Sequence, residues 1–280
     1  ADISQKIPSY LSEHNRLFDA DVKTYYKAFN KFTNMSLEEI KKYLRPLVDD
    51  EDQPPSVKLR RRHNQNIIVR TLPETLVSLY ELESPVHDQG PCASGYAFAA
   101  VGAIEGRMMH EYGRYDKLSV QEVIECTNAC SGGGNYGMVF ELSMKRNGLA
   151  AESDNKYNPR VFKSCGVSDR FNRVMHSKVS KWHWASHWYM STEHSMRSYM
   201  AGNGPVLVTI DVYNSFLSYG GGIYQHEPDE KMIGKQDLLV VNYGTEGEKK
   251  YWVLKNSMGT GWGEKGYMRM LRGSNELSLI

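Results

Sequence analysis

The stretch Asp88-Gln89-Gly90-Pro91-Cys92-Ala93-Ser94-Gly95-Tyr96-Ala97-Phe98 decides how the rest of the chain is read. Ala97, Val101, Ile104 and Met108 form one apolar stripe at helical spacing, so a long helix starts here and ends near Gly113. Such a helix is a core element under any reading. Gly95, at its start, has no side chain and can attack nothing. Further on, Ser119 and Glu122 have the spacing of a capping box.

The 280 residues suffice for a large core and allow one or two domains. The 34 basic and 33 acidic residues nearly cancel, so nothing points to nucleic acid or an anionic membrane surface. No apolar run is long enough to span a bilayer, and no signal peptide stands at Ala1. Four cysteines are too few for a small disulfide scaffold but allow two bridges. His183 and His187 invite a zinc reading. On a strand they lie about 13 Å apart, too far for one ion, and no carboxylate completes a motif, so neither metal nor cofactor is expected. Trp182, Trp184 and Trp188 share a face at period two, and burial explains them better than a partner-binding stripe.

The motifs together resemble the papain-like, cathepsin L-like cysteine peptidases. That family writes Gln, then Cys-Gly-Ser-Cys-Trp-Ala-Phe, and the second Cys is the nucleophile. Here Gln89 keeps the oxyanion-donor place, Cys92 the first Cys, and Gly95 falls on the nucleophile. Leu118 to Cys126 follows the family's Leu-Ser-x-Gln-Glu-Leu-Val-Asp-Cys. Cys130-Ser131-Gly132-Gly133 follows Cys-x-Gly-Gly, where glycine admits a substrate backbone. Gly134 and Asn135 then stand where relatives are often apolar, so a hydrophobic side-chain pocket is eroded at that edge. Gly204 to Ile210 and Gly222-Ile223-Tyr224 resemble family strands.

The second catalytic segment, His-Ala-Val-Leu-Val-Val-Gly-Tyr-Gly, reads here Gln236-Asp237-Leu238-Leu239-Val240-Val241-Asn242-Tyr243-Gly244. Gln236 takes the place of the His base, and an amide does not exchange protons near neutral pH. Asn256 keeps the place of the residue that orients that His. Met258 replaces its shielding Trp, and Trp262 follows the pattern again. The resemblance implies a cleft along Gly132, Gly133, Gly134, Asn135, Met258 and Trp262. It also implies bridges Cys92–Cys130 and Cys126–Cys165, while the family's third bridge has no cysteine at either end. Ser94 is no substitute nucleophile, because its position faces elsewhere in the family. His226 falls beyond the Gly-Ile-Tyr strand.

Residues 1 to about 45 read as mostly helical, with a capping box at Ser36–Glu39 and a stop at Pro46. They resemble the second half of a papain-family propeptide through Leu11, Asn15, Ala28, Asn30, Phe32 and Asn34, the first pro-helix being absent. Asn34 replaces a family Asp linked to acid-triggered loosening. It also begins an Asn-Met-Ser sequon, so it is either glycosylated or a buried amide. Asp49 to Arg70 reads as an exposed linker, and its Arg60-Arg61-Arg62 is a solvated charge run or a processing site.

The implied fold is α+β: a papain-like two-lobe peptidase domain over 72–280, preceded by a mostly helical propeptide-like segment over 1–71. The helical lobe covers about 85–172 and a β-barrel-like lobe about 173–280. With Gly95 and Gln236 at the two catalytic places, the chain is expected not to be an enzyme. It would act by binding its own propeptide, peptides, a cystatin-like inhibitor or another protein in a secreted or lysosomal (vacuolar) setting, its signal peptide already removed. The alternatives are a zymogen inactivated by engineering and a hydrolase with a relocated nucleophile.

Overall fold

The structure is a computed structural model that describes residues 9–47, 84–130, 132–160, 162–182 and 193–274. The N-terminal segment holds α1 (Ser9–Asp19), β1 (Tyr25–Lys27) and α2 (Leu37–Lys41). Then come α3 (Gly95–Tyr112), α4 (Val120–Thr127), α5 (Tyr136–Lys145), α6 (Glu193–Asn203), β2 (Val206–Val212), α7 (Asn214–Leu217), β3 (Tyr219–Tyr224), β4 (Gly234–Glu246), β5 (Lys249–Lys255) and β6 (Tyr267–Leu271). The architecture is α+β.

Helix α3 is the central element. Ala97, Val101, Ile104 and Met108 are all buried. The helix stops where Gly113 takes φ 67° and donates to the Met109 carbonyl, a left-handed cap that costs glycine least. One side of α3 packs on α4 and α5 around Tyr96, Val123, Ile124, Val139 and Leu149. Another meets β4. The central helix is thus shared between a helical lobe and a sheet.

The six strands run in the order β1-β3-β6-β5-β4-β2, and only β3–β6 is parallel. β1 and β2 end the sheet, so it is open and not closed into a barrel. Its inner face carries Leu238, Val240, Trp252, Leu254 and Met268, with Phe216 of α7 packed in the same core, all nearly inaccessible to solvent.

The N-terminal segment is helical at both ends, but between them lies a strand that its residue pattern did not announce. β1 pairs antiparallel with β3, Tyr25 opposite Gly222 and Tyr26 opposite Gly221. Three residues are too short to show a period, and the partner is far away in sequence. Asn15 pins the strand from α1: its Nδ2 donates to the Lys27 carbonyl and its Oδ1 accepts from the Lys27 N–H, both at 2.8 Å.

Ser36 and Glu39 form the reciprocal capping box. At α4 only half of one forms. Ser119 Oγ accepts from the Glu122 N–H at 3.0 Å, but the Glu122 carboxylate turns away to the Ala150 N–H at 2.7 Å and to Arg146 and Arg173. Two guanidiniums and an amide outcompete one cap donor for a fully buried carboxylate. Cys92 is bonded to Cys130 and Cys126 to Cys165, with Cα–Cα distances of 4.9 and 4.6 Å. Val179 to Trp182 lies in no regular element, and the Trp182 ring centroid is 5.7 Å from that of Phe140. His183, Trp184, His187, Trp188, the linker with its Arg triplet, and Leu72 to Ser78 lie outside the described residues.

Candidate functional site

Three parts of the chain converge where α3 begins. The loop before α3 brings Gln89, β4 brings Gln236, and the turn after β5 brings Asn256 and Ser257. Gln236 Nε2 donates to Asn256 Oδ1 at 2.9 Å and to Gln89 Oε1 at 3.1 Å, and Ser257 Oγ donates to Gln89 Oε1 at 2.6 Å. The Asn256 Oδ1 also accepts from the Ser257 N–H at 2.8 Å. All four residues are buried, so the chain of amides is shielded from competing water.

Gly95 faces this network. A Cβ placed on it would stand 3.0 Å from Gln236 Nε2, 3.2 Å from Gln236 Oε1 and 3.3 Å from the Asp237 carbonyl. A side chain at 95 would therefore press on the amide of residue 236, which would have to give by a few tenths of an ångström. The two positions fit each other sterically. Ser94, just before the helix, is buried and shares a 3.0 Å hydrogen bond with the Tyr157 hydroxyl, and its side chain makes no capping bond. His226 stacks on Tyr213 with ring centroids 4.7 Å apart. All four cysteines are disulfide-bonded.

The space in front of this network is taken by the N-terminal segment. Gln89 Nε2 donates to the Tyr43 carbonyl and to the Cys92 carbonyl, each at 2.7 Å. Arg45 forms an antiparallel bridge with Lys235, each N–H donating to the other's carbonyl at 2.9 Å. Between them Leu44 is buried, and its Cβ lies 2.8 Å from where Gly234 would carry one. Tyr43 and Leu44 thus turn out of α2, their N–H groups donating to the Ile40 and Lys41 carbonyls, and Arg45 pairs with Lys235 as a single bridge in the groove.

The residues named for a cleft divide into two sets. Gly133, at φ 70°, lies under Arg45, whose Cγ is 3.0 Å from a Cβ built there, and the Gly134 carbonyl accepts from Arg45 Nη1 at 3.4 Å. Gly132 has open space beside it. Asn135 is the N-cap of α5, accepting from the Met138 N–H at 3.1 Å. Met258 is buried and bridges Asp88. Trp262 is fully buried among Phe216 and Tyr219 and donates to the Phe216 carbonyl at 3.2 Å, so it belongs to the sheet core.

Asp237 and Arg45 were missed as site residues. The Asp237 carboxylate is buried, accepts from Thr209 Oγ1 at 2.6 Å and lies 3.7 Å from Arg45 Nη1. Burial pushes its pKa up, against the pull of Arg45 and its hydrogen bonds to Thr209 and Tyr136. The signal was present: the family pattern writes Ala where this chain has Asp237. Asn34 is exposed, which leaves its sequon accessible and removes the buried-amide alternative. No group of His, Cys, Asp and Glu able to hold a metal occurs among the described residues.

The model of the papain family cysteine proteases matches residues 80–280, and the chain belongs to that family. It is 31% identical over 279 residues to a cathepsin L-like proteinase of Fasciola hepatica, covering 97% of this chain and 81% of that protein. It is 30% identical to cathepsin S of Mus musculus, covering 96% and 78%. Among solved structures it is similar to digestive procathepsin L2 proteinase of the Tenebrio molitor larval midgut. There the TM-score is 0.81 and the identity 28%, over 97% of this chain and 86% of that one.

These relatives correct one expectation. Gly95 and Gln236 suggested a chain that is not an enzyme, whereas the matching family is one of cysteine proteases and the relatives are proteinases and cathepsins. Two positions read against a motif describe those positions and do not measure turnover.

Proposed function

We propose that this papain-family member uses its cleft to bind polypeptide, its own N-terminal segment being the resident occupant. The observation that carries this is the pair of contacts at either end of Tyr43–Arg45, from Gln89 to the Tyr43 carbonyl and between Arg45 and Lys235. Both address the backbone, so another chain that follows the same path can make them. Free peptides and a cystatin-like inhibitor are the competing occupants. Gly95 adds no side chain to the groove, and the Gln236 amide is a hydrogen-bonding group, which suits a surface that holds a chain. The similarity to a proform supports reading residues 9–47 as propeptide-like. The two disulfides favour an oxidising, secreted or lysosomal setting.

The test uses the full chain. Leu44→Asp places a charge in the buried seat of Leu44 and displaces the segment. The variant is expected to capture labelled extended peptides that the parent chain excludes, and a cystatin-like inhibitor is tried in parallel. Failure of both chains to capture any peptide would end the binding reading. Hydrolysis of fluorogenic peptides at mildly acid pH is measured on the same samples. Turnover that survives repurification would assign the cleft a catalytic role as well.

A further inference from the structure

We infer that the pocket filled by Arg45 is built for a basic side chain, so that polypeptides held in this cleft present arginine or lysine at that place. This rests on the cleft-binding reading above and adds a side-chain requirement to it. The floor is the Asp237 carboxylate, of which only 3% is exposed. Its hydrogen-bond partners, Thr209 and Tyr136, are neutral hydroxyls. Of the cations acting on it, Arg45 lies at 3.7 Å, while Lys235 pairs with Asp211 at 3.4 Å. The wall adds a second acceptor, the Gly134 carbonyl, 3.4 Å from the same Arg45 Nη1. At position 134 a Cβ would stand 2.7 Å from the Tyr96 ring, so no side chain enters the pocket from that edge. A buried carboxylate in ion-pair range of the guanidinium, beside a carbonyl that accepts from it, makes a seat for a cation with several N–H groups. A leucine there would leave a buried charge unmatched.

Hydrogen exchange on the full chain separates the two readings. In the parent chain the Arg45 and Lys235 amides, which bond each other's carbonyls, are expected to be protected. If they exchange like a free peptide, the cleft reading fails and this inference fails with it. R45K is expected to keep the protection, and R45L and R45E to lose it by tenfold or more. In a D237N background the gap between arginine and leucine at 45 is expected to shrink below threefold. Should D237N not fold, the series at 45 still decides, because it leaves position 237 untouched. A synthetic peptide spanning Lys41–Leu47, added to the R45E chain, is expected to restore protection at Lys235, whereas its counterpart with leucine for Arg45 is not. Protection in R45L equal to the parent, or equal rescue by both peptides, would overturn the basic pocket and leave the cleft reading standing.

Discussion

At the edge of the sheet the N-terminal segment is held by shape. Gly220, Gly221 and Gly222 present bare backbone to β1, and a Cβ on them would stand 2.5 and 2.8 Å from the Tyr26 ring and 2.6 Å from the Thr24 carbonyl. Lys23, Tyr25 and His14 then close on the single carboxylate of Glu227. In the cleft the same segment is held by polar groups facing its backbone and one side chain: Gln89, Lys235, Asp237 and the Gly134 carbonyl. The first seat accepts this segment and little else, because its fit depends on particular rings against particular glycines. The second rests on contacts to backbone and to one side chain. One seat therefore depends on the segment's own rings, while the other depends on its backbone and one cation.

The largest expected effect breaks the first seat. Gly222 sits at φ +91° with backbone 2.6 Å from a would-be Cβ. Gly222→Val then combines backbone strain with a clash against main chain that cannot move aside, a cost of about 3 kcal/mol or more. Thermal unfolding is expected to show it, with fast exchange at Tyr25–Lys27 while the Arg45 amide keeps part of its protection. Equal loss at both places would mean that the two seats act as one.

A smaller effect is expected in the cleft. Gln236→Leu removes the donor shared by Gln89 and Asn256, while Ser257 still donates to both oxygens, a cost of about 1.5 kcal/mol by denaturant unfolding. A change below a few tenths would mean that the amide network contributes only shape.

The smallest effect is a pH dependence at the sheet edge. Burial raises the Glu227 pKa, but hydrogen bonds from Lys23 and Tyr25 and the nearby positive charges overcome it and hold the carboxyl below the ordinary range. A carboxyl lowered in this way stabilises docking fully above its free value. That stabilisation is lost as pH falls through the lowered value. Glu227→Gln is expected to cost about 1 kcal/mol of docking at neutral pH and to flatten the acid limb of a stability–pH curve. An unchanged acid limb would place the sensitivity elsewhere. Asn34 does not titrate, so the groups in this seat through which acid would act are Glu227 and His14, whose pKa burial lowers.

Local pattern carried much of the fold. The apolar stripe of α3, its glycine stop at Gly113 and the capping box at Ser36 depend on neighbours within a few residues, and all three stand as read. Where a residue has rival partners from elsewhere in the chain, local pattern misleads. Glu122 had the spacing of a cap and went to two arginines and a distant amide instead. Trp262 had a place in a cleft motif and lies in the core of the sheet.

What the sequence by itself determined was the family, because ordered motifs along nearly the whole chain specify one backbone, together with the identity of residues 95 and 236. Only the tertiary structure decided that these two fit each other, that Gln89 is engaged by the Tyr43 carbonyl, and that Arg45 faces Asp237. Each of those contacts joins residues far apart in the chain, and no local spacing encodes them. The charge of Asp237 is legible in the sequence, but its burial, and hence its need for a cation, belongs to the fold.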